Sequence, residues 1–351
     1  MTDSSRPARR PYVGSLKTSE IAGNALAGRS VLITGGTGSF GRQFVATALE
    51  HANPRRLIVL SRDEVKQAEM AQQFGHDPRL RFFLGDVRDR DRLRRAFRDV
   101  DVVVHAAALK QVPAAEYNPF EFIKTNVIGA EHVVDAALDA GVGKVVALST
   151  DKAANPINLY GASKLCADKL FVAANSYSGA SGTRFTCVRY GNVVASRGSV
   201  IPFFLSRKSS GVLPITHPDM TRFWITLEQG VTLVFAADRA MHGGEIFVPK
   251  IPSMRLVDLA RAIAPECRLD VVGVRPGEKL HETMVPEDDA RNAFEYEDCF
   301  VIRSLSGEAD GQAVPNSNGG RPCPEGFRYS SDNNSQWLTV PELQKLVNNV
   351  A

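Results

Sequence analysis

Residues 30–41 read SVLITGGTGSFG. The apolar run Val31, Leu32 and Ile33 has the composition of a short buried strand. Gly35, Gly38 and Gly41 then form G-x-x-G-x-x-G, directly before an amphipathic segment carrying Phe44, Val45, Ala48 and Leu49. Glycine permits the tight strand-to-helix turn and lets the backbone approach a pyrophosphate, whose charge is favoured at a helix N-terminus. A glycine turn alone is weak evidence, whereas the strand-loop-helix context makes it a dinucleotide-binding fingerprint. Gly35, Thr37, Gly38, Ser39, Phe40 and Gly41 are therefore expected to cradle a dinucleotide.

The chain outward from this loop alternates. Apolar runs at 57–60, 81–86, 100–108, 144–149 and 185–194 read as strands, separated by helical stretches, one of them around 126–138. Such β-α alternation with short connections predicts an α/β fold, a doubly wound parallel sheet of Rossmann type with a smaller C-terminal substrate-binding region. Beyond 194 the alternation loosens and prolines punctuate short segments, though a helix at 227–236 and a strand at 245–249 are expected to return to the sheet. The resulting division is a flexible arm over 1–28, a nucleotide-binding domain over 29–193 and 225–250, and a substrate region over 194–224 and 251–351. Within the last part, 304–324 is rich in Gly, Ser, Asn and Pro and reads as an exposed loop. A final helix is expected from Thr339, with Glu342 at capping-box spacing.

Across 351 residues the hydrophobic content of 44% is ample for a large core, and a net charge of +3 gives no reason to expect nucleic acid or a membrane surface as partner. No apolar run approaches the roughly 20 residues of a spanning helix, so no membrane insertion is expected. Cys166, Cys187, Cys267, Cys299 and Cys323 are scattered, without a CxxC pair or metal-ligand spacing. Reduced thiols in a cytoplasmic, zinc-free protein are the expectation.

The end of the second strand, Ser61-Arg62-Asp63, bears on which dinucleotide binds. An acidic residue about 20 positions past the glycine loop favours NAD through the ribose hydroxyls, and an arginine favours the 2′-phosphate of NADP. Arg62, with Lys66 one turn on, favours NADP. Asp86 and Val87 are expected to edge the adenine, and Ala106, Ala107 and Ala108 to line the cofactor. Asn126, Tyr190, Asn192 and Val193 complete the cofactor-facing set.

Residues 150–164, TDKAANPINLYGASK, carry the chemistry. Tyr160 and Lys164 at i and i+4 share one helix face. A phenol is a poor base near neutrality unless a nearby ammonium lowers its pKa, and Lys164 is expected to do so, letting Tyr160 take the proton of a sugar hydroxyl with Thr150 sharing its hydrogen bond. Asp151-Lys152 beside them suits a different step. Oxidising C4 of a hexose acidifies the C5 proton, so Lys152 could remove it as a base while Asp151 protonates the departing C6 hydroxyl. Lys152 must then be neutral and Asp151 protonated, and burial is expected to drive both that way.

With the glycine loop at this separation, YxxxK resembles the extended short-chain dehydrogenase/reductase family. TGGTGSFG, LSRDE, GDVRD, HAAALK, STDKAANPINLYGASK, VRYGNVVASRGSVIPFF, MTRFWIT and RPGEKLHE in order look like the inverting UDP-N-acetylglucosamine 4,6-dehydratases, the 5-epimerising enzymes of bacterial surface-glycan pathways such as that of pseudaminic acid. The resemblance implies UDP-N-acetylglucosamine as substrate and NADP that is tightly held and regenerated in each turnover. C4 oxidation, loss of water across C5 and C6, hydride return to C6 and inversion at C5 would give UDP-2-acetamido-2,6-dideoxy-β-L-arabino-hex-4-ulose. It also places Arg222, Arg275 and Glu278 at the UDP end, with Lys110, Asn192, Arg197 and Ser199 along the diphosphate and sugar. Gln111 departs from the histidine expected after Lys110. A homodimer or higher homo-oligomer is implied as well. Other readings of the same residues are a retaining NDP-hexose 4,6-dehydratase, a UDP-sugar 4-epimerase and a non-catalytic NADP-binding regulator. Retaining dehydratases carry Asp-Glu where this chain has Asp151-Lys152.

Overall fold

The computed structural model describes residues 18–179, 182–194, 200–304 and 319–348. Strands β1 (Ser30–Thr34), β2 (Arg56–Ser61), β3 (Leu80–Leu84), β4 (Val102–His105), β5 (Lys144–Leu148) and β6 (Arg184–Val188) pair in parallel in the order β3-β2-β1-β4-β5-β6. β1 is buried along its whole length because helices cover both faces of the sheet, which explains its unbroken apolar character. Val31 registers with Leu57 on one side and Val102 on the other. The chain winds outward from β1 through β2 and β3, then reverses to β4. Ligands in open α/β sheets bind at such a reversal, outside the carboxyl ends of the strands.

The remaining strands are β7 (Asn192–Val193), β8 (Val212–Ile215), β9 (Thr221–Ile225), β10 (Ile246–Pro249), β11 (Ser253–Arg255) and β12 (Arg268–Val271), followed by β13 (Thr283–Val285), β14 (Ala293–Glu295), β15 (Cys299–Ile302), β16 (Arg321–Pro322) and β17 (Tyr329–Ser330). β10 joins β6 in parallel, and β15, β14 and β16 continue the sheet antiparallel to ten strands. The expected assignment of all of 251–351 to a substrate region is thereby corrected. β15 is buried at every position and its backbone is satisfied only by pairing with β10 and β14. A second core, built from Phe204, Leu213, Trp224, Met254, Leu259 and Leu343, packs apart from the main one. It is framed by the β8–β12 pair and the β11-β9-β7 sheet.

Two further expectations change. Part of the arm over 1–28 is docked: Ile21, Ala22 and Leu26 are buried, Thr18 donates to Glu228 at 2.9 Å and Arg239 donates to the Ile21 carbonyl at 3.2 Å. Packing of the helix Thr18–Ala22 against the helix Leu227–Ala240 explains why this part of the arm is docked. Similarly, 319–324 contributes β16 at the sheet edge and Cys323 N–H donates to the Ala293 carbonyl at 2.9 Å, so this end of the expected loop is a strand. The last helix runs Val340–Asn348, and Glu342 accepts from both Thr339 N–H and Thr339 Oγ1, at 2.8 and 2.6 Å.

Candidate active site

A cleft of about 480 Å³ opens at the carboxyl ends of β1, β4 and β5. Gly35 adopts φ +66°, and a Cβ there would stand 2.9 Å from the Ala107 backbone nitrogen, so the turn out of β1 must be glycine to lie against β4. A Cβ at Gly41 would stand 2.2 Å from the Gly36 carbonyl oxygen. These two positions let the helix Ser39–Thr47 start immediately beneath the cleft with its free N–H groups facing it. Thr37, Gly38, Ser39 and Phe40 line the same floor. A dinucleotide pyrophosphate fits this cradle.

Ser61 and Arg62 after β2, Asp86 and Val87 after β3, and Ala106 to Ala108 after β4 all line the cleft, as do Lys110, Tyr190, Asn192 and Val193. Arg62 lies 3.5 Å from Asp86. Lys66 is corrected: it does not border the cleft, because Asp63 caps the helix Glu64–Gln73 by accepting from Lys66 N–H at 3.0 Å and also pairs with the Lys66 ammonium. Asn126 is corrected too. Its side chain is buried and clamps the backbone of Leu109, donating and accepting at 2.9 Å, while donating to Ser163 at 3.0 Å. It braces the strand-to-helix loop and is not among the residues that line the cleft.

The reacting end is built where β5 stops. Thr150 caps a single 3-10 turn, Asp151–Ala153, and Asn158 caps the helix Leu159–Ala173 by accepting from Gly161 N–H at 2.8 Å. This brings Thr150, Asp151, Lys152, Tyr160 and Lys164 to one wall of the cleft. Lys152 Nζ donates to Asp151 Oδ1 at 3.1 Å, and Thr150 Oγ1 donates to the same oxygen at 3.0 Å. Asp151 is fully buried and its Oδ2 has no hydrogen-bond partner among the described residues.

A residue that sequence reasoning missed completes the cluster. Glu282, 2% exposed, places Oε1 at 3.2 Å from Lys152 Nζ. Burial alone would lower the Lys152 pKa, but Asp151 and Glu282 outweigh it and hold the ammonium above the ordinary lysine value. The expectation of a lysine neutralised by burial is corrected, and the causes are the Asp151 and Glu282 carboxylates together. Asp151 follows its expectation: burial raises its carboxyl, and the Glu282 charge adds to the rise.

Tyr160 also differs. Burial pushes its phenol up to about 12, opposed by the Lys152 charge and a hydrogen bond with Thr150. The Lys164 ammonium donates instead to the Leu148 carbonyl at 2.8 Å, so the cation bearing on the phenol is Lys152.

Arg222, Arg275 and Glu278 do not line this cleft. Arg222 is buried, donates to the carbonyls of Thr221 and Leu280 at 2.7 and 3.1 Å, and lies 3.8 Å from Glu278. Arg275 is exposed and stands apart. The segment that follows Arg275 is fastened over the catalytic turn: Asn158 donates to the Gly277 carbonyl at 2.7 Å and Lys279 to the Ala154 carbonyl at 2.6 Å. Arg197 and Ser199 lie outside the described residues. Glu282 is the last acid of RPGEKLHE, and no local spacing in the sequence ties it to Lys152.

The sequence pattern of the polysaccharide biosynthesis protein family matches residues 31–304. The chain belongs to this family, within the extended short-chain dehydrogenase/reductases. Two proteins from Campylobacter jejuni strains, each named UDP-N-acetylglucosamine 4,6-dehydratase (inverting), are 52% identical over 92% and 91% of this chain and 98% and 97% of their own. The UDP-glucose 4-epimerase of Rickettsia conorii is 42% identical over 78% of this chain and 82% of its own. Among solved structures, Pen from Bacillus thuringiensis matches with TM-score 0.83 at 36% identity, covering 92% of this chain and 99% of that one. DesIV of Streptomyces venezuelae, a dTDP-glucose 4,6-dehydratase with NAD and TYD bound, matches with TM-score 0.62 at 28% identity over 72% and 86%. The glycine-lined cleft of this chain suits a nicotinamide dinucleotide. No helix among the described residues is long and apolar enough to cross a membrane.

Proposed function

We propose that the protein is an inverting UDP-N-acetylglucosamine 4,6-dehydratase, forming UDP-2-acetamido-2,6-dideoxy-β-L-arabino-hex-4-ulose for bacterial surface-glycan synthesis. The observation that carries this reading is the Asp151–Lys152 pair, 3.1 Å apart on the same cleft wall as Tyr160. Oxidation at C4 alone has no use for it. NADP, when bound, supplies a hydride acceptor that becomes a donor later in the same turnover. Tyr160 takes the C4 hydroxyl proton, with Thr150 holding that hydroxyl. Lys152 removes the acidified C5 proton, and Asp151 gives a proton to the departing C6 oxygen. Passing the proton from Lys152 Nζ to Asp151 Oδ1 across their contact makes the base and the acid together, with no change in net charge.

For the cofactor, Arg62 on the cleft wall and the commitment of Asp63 to helix capping support NADP over NAD. For the substrate, Arg222 and Glu278 support a UDP-binding role through charge-assisted hydrogen bonds, and we assign Arg275 to the same task from the sequence pattern. Lys110 and Asn192 border the sugar, and we assign Arg197 and Ser199 to the same task from the sequence pattern. Tyr117 and Phe120, 88% and 72% exposed on helices flanking the sheet, support pairing with a second copy. The cytoplasm is the compartment in which this nucleotide-sugar would be met.

Purified protein given UDP-N-acetylglucosamine without added cofactor should release a product lighter by one water. The alternative reading, a UDP-sugar 4-epimerase, is outweighed by the 52% identity to the inverting dehydratases against 42% to a UDP-glucose 4-epimerase. That reading predicts an isomer of unchanged mass.

A further inference from the structure

Lys152 has two carboxylates, and the chemistry described above uses only one. Glu282 Oε1 is 3.2 Å from Lys152 Nζ, nearly as close as Asp151, and its other oxygen is buried without a hydrogen-bond partner among the described residues. Its place is set by backbone. Glu282 N–H donates to Ser331 Oγ at 2.9 Å, its carbonyl accepts from Ser331 N–H at 2.8 Å, and the chain enters β13 at the next residue. A carboxylate that is 2% exposed carries a large desolvation cost unless it is paired. The cations available to it are Lys152, Arg222 at 4.0 Å and Lys279 at 4.0 Å.

We infer that Glu282 is a positioning residue that keeps Lys152 an ammonium in the resting site, so that the C5 base forms only by proton transfer to Asp151. The inference rests on the dehydratase reading and adds to it a control on when the base exists. The N–H bond of Lys152 breaks and an O–H bond forms on Asp151. Lys152 then takes the C5 proton, and Asp151 loses its proton to the C6 oxygen leaving as water. Both groups return to the ion pair, so one elimination consumes and restores the resting state. A lysine that were neutral at rest would have no proton to give, and Asp151 would need another source. The charged and titratable groups facing Lys152 are Asp151 on its own turn, Glu282 and Lys279 before β13, Arg222 on β9 and Tyr160 on the following helix. Of these, only Glu282 adds negative charge without taking part in a bond-breaking step.

The test is the pH profile of kcat with C5-deuterated UDP-N-acetylglucosamine, which slows the step that uses Lys152. The proton that Lys152 gives to Asp151 must be present at rest, so the rate falls at high pH as the ammonium is lost. In Glu282→Gln the ammonium loses an opposite charge, so this falling limb should move to lower pH by about one to three units, the usual effect of one neighbouring charge. Glu282→Asp, with its carboxylate drawn back, should move it less. Cofactor content and KM should stay within about twofold in both. A limb at its wild-type position in the variants that turn over would overturn the inference. So would loss of turnover in both with cofactor retained, which would make Glu282 a direct participant. If wild-type protein removes no water at all, the dehydratase reading itself has failed, and that outcome is distinct from either.

Discussion

Gly161 packs on the backbone of Lys152: a Cβ at 161 would stand 2.3 Å from the Lys152 carbonyl oxygen. The helix bearing Tyr160 and the turn bearing Lys152 thus approach closely only because residue 161 has no side chain. Gly161→Ala must push the turn away, and overpacking of this kind costs about 1–3 kcal/mol. A lower thermal midpoint with kcat reduced more than KM is expected. An alanine variant with wild-type stability and turnover would show that the contact is not needed.

Tyr160 and Lys152 should fail at different steps. Tyr160→Phe removes the group that takes the C4 proton, so no reduced cofactor should appear at 340 nm on mixing with substrate. Lys152→Ala should still show that absorbance, while water loss slows by about 10²–10⁴, the usual worth of a general base. Stopped-flow absorbance beside product analysis separates the two. Equal loss of both signals in both variants would contradict the division of labour.

Arg62 lines the cleft while Asp63 is turned into its helix cap. Charge-assisted bonds to a phosphate contribute about 1.5–3 kcal/mol, so Arg62→Ala should weaken NADP about ten- to a hundredfold and leave NAD little changed. Calorimetry on cofactor-stripped protein measures both. Parallel loss for the two dinucleotides would remove Arg62 from the choice between them.

His105 gives a pH dependence of stability. Thr34 Oγ1 accepts from the N–H groups of Ala106 and Ala107, each at 3.2 Å, so its single proton is donated to His105 Nδ1 at 2.9 Å and the ring is neutral. Burial, aided by the Lys164 charge, lowers its pKa to about 3. The unfolded chain therefore binds a proton below about 6.5 that the folded chain does not. This stability is fully present above that pH and is lost as pH falls toward 3, by about 1.4 kcal/mol per unit. Urea midpoints from pH 7 to 4.5 should fall less steeply in His105→Asn. An unchanged slope would refute the assignment.

The sheet was legible in residues 30–194 because buried parallel strands leave unbroken apolar runs and the glycine loop marks the reversal point. Tyr160, Lys164, Asp151 and Lys152 were legible because one turn and one helix hold them, and local spacing therefore carries their geometry. Glu282 was not, since only long-range packing of β13 against the catalytic turn brings it there. For the same reason the charge state of Lys152 could not be read from its neighbours in sequence. Lys66 and Asn126 lie at the right places in the chain, but one pairs with a helix cap and the other braces a backbone loop. Short strands such as β14 to β16 also escaped, because two to four residues carry too little periodicity to be distinguished from loop.

The assignment of Asp151 and Lys152 to elimination across C5 and C6 is tested most directly by proton NMR of the product. UDP-N-acetylglucosamine is incubated with the purified protein in deuterated water, without added cofactor. A 4-keto-6-deoxy sugar with deuterium at C5 and the ring couplings of the L-arabino configuration is predicted. A product that keeps its C6 hydroxyl, or one with the D configuration at C5, would contradict it.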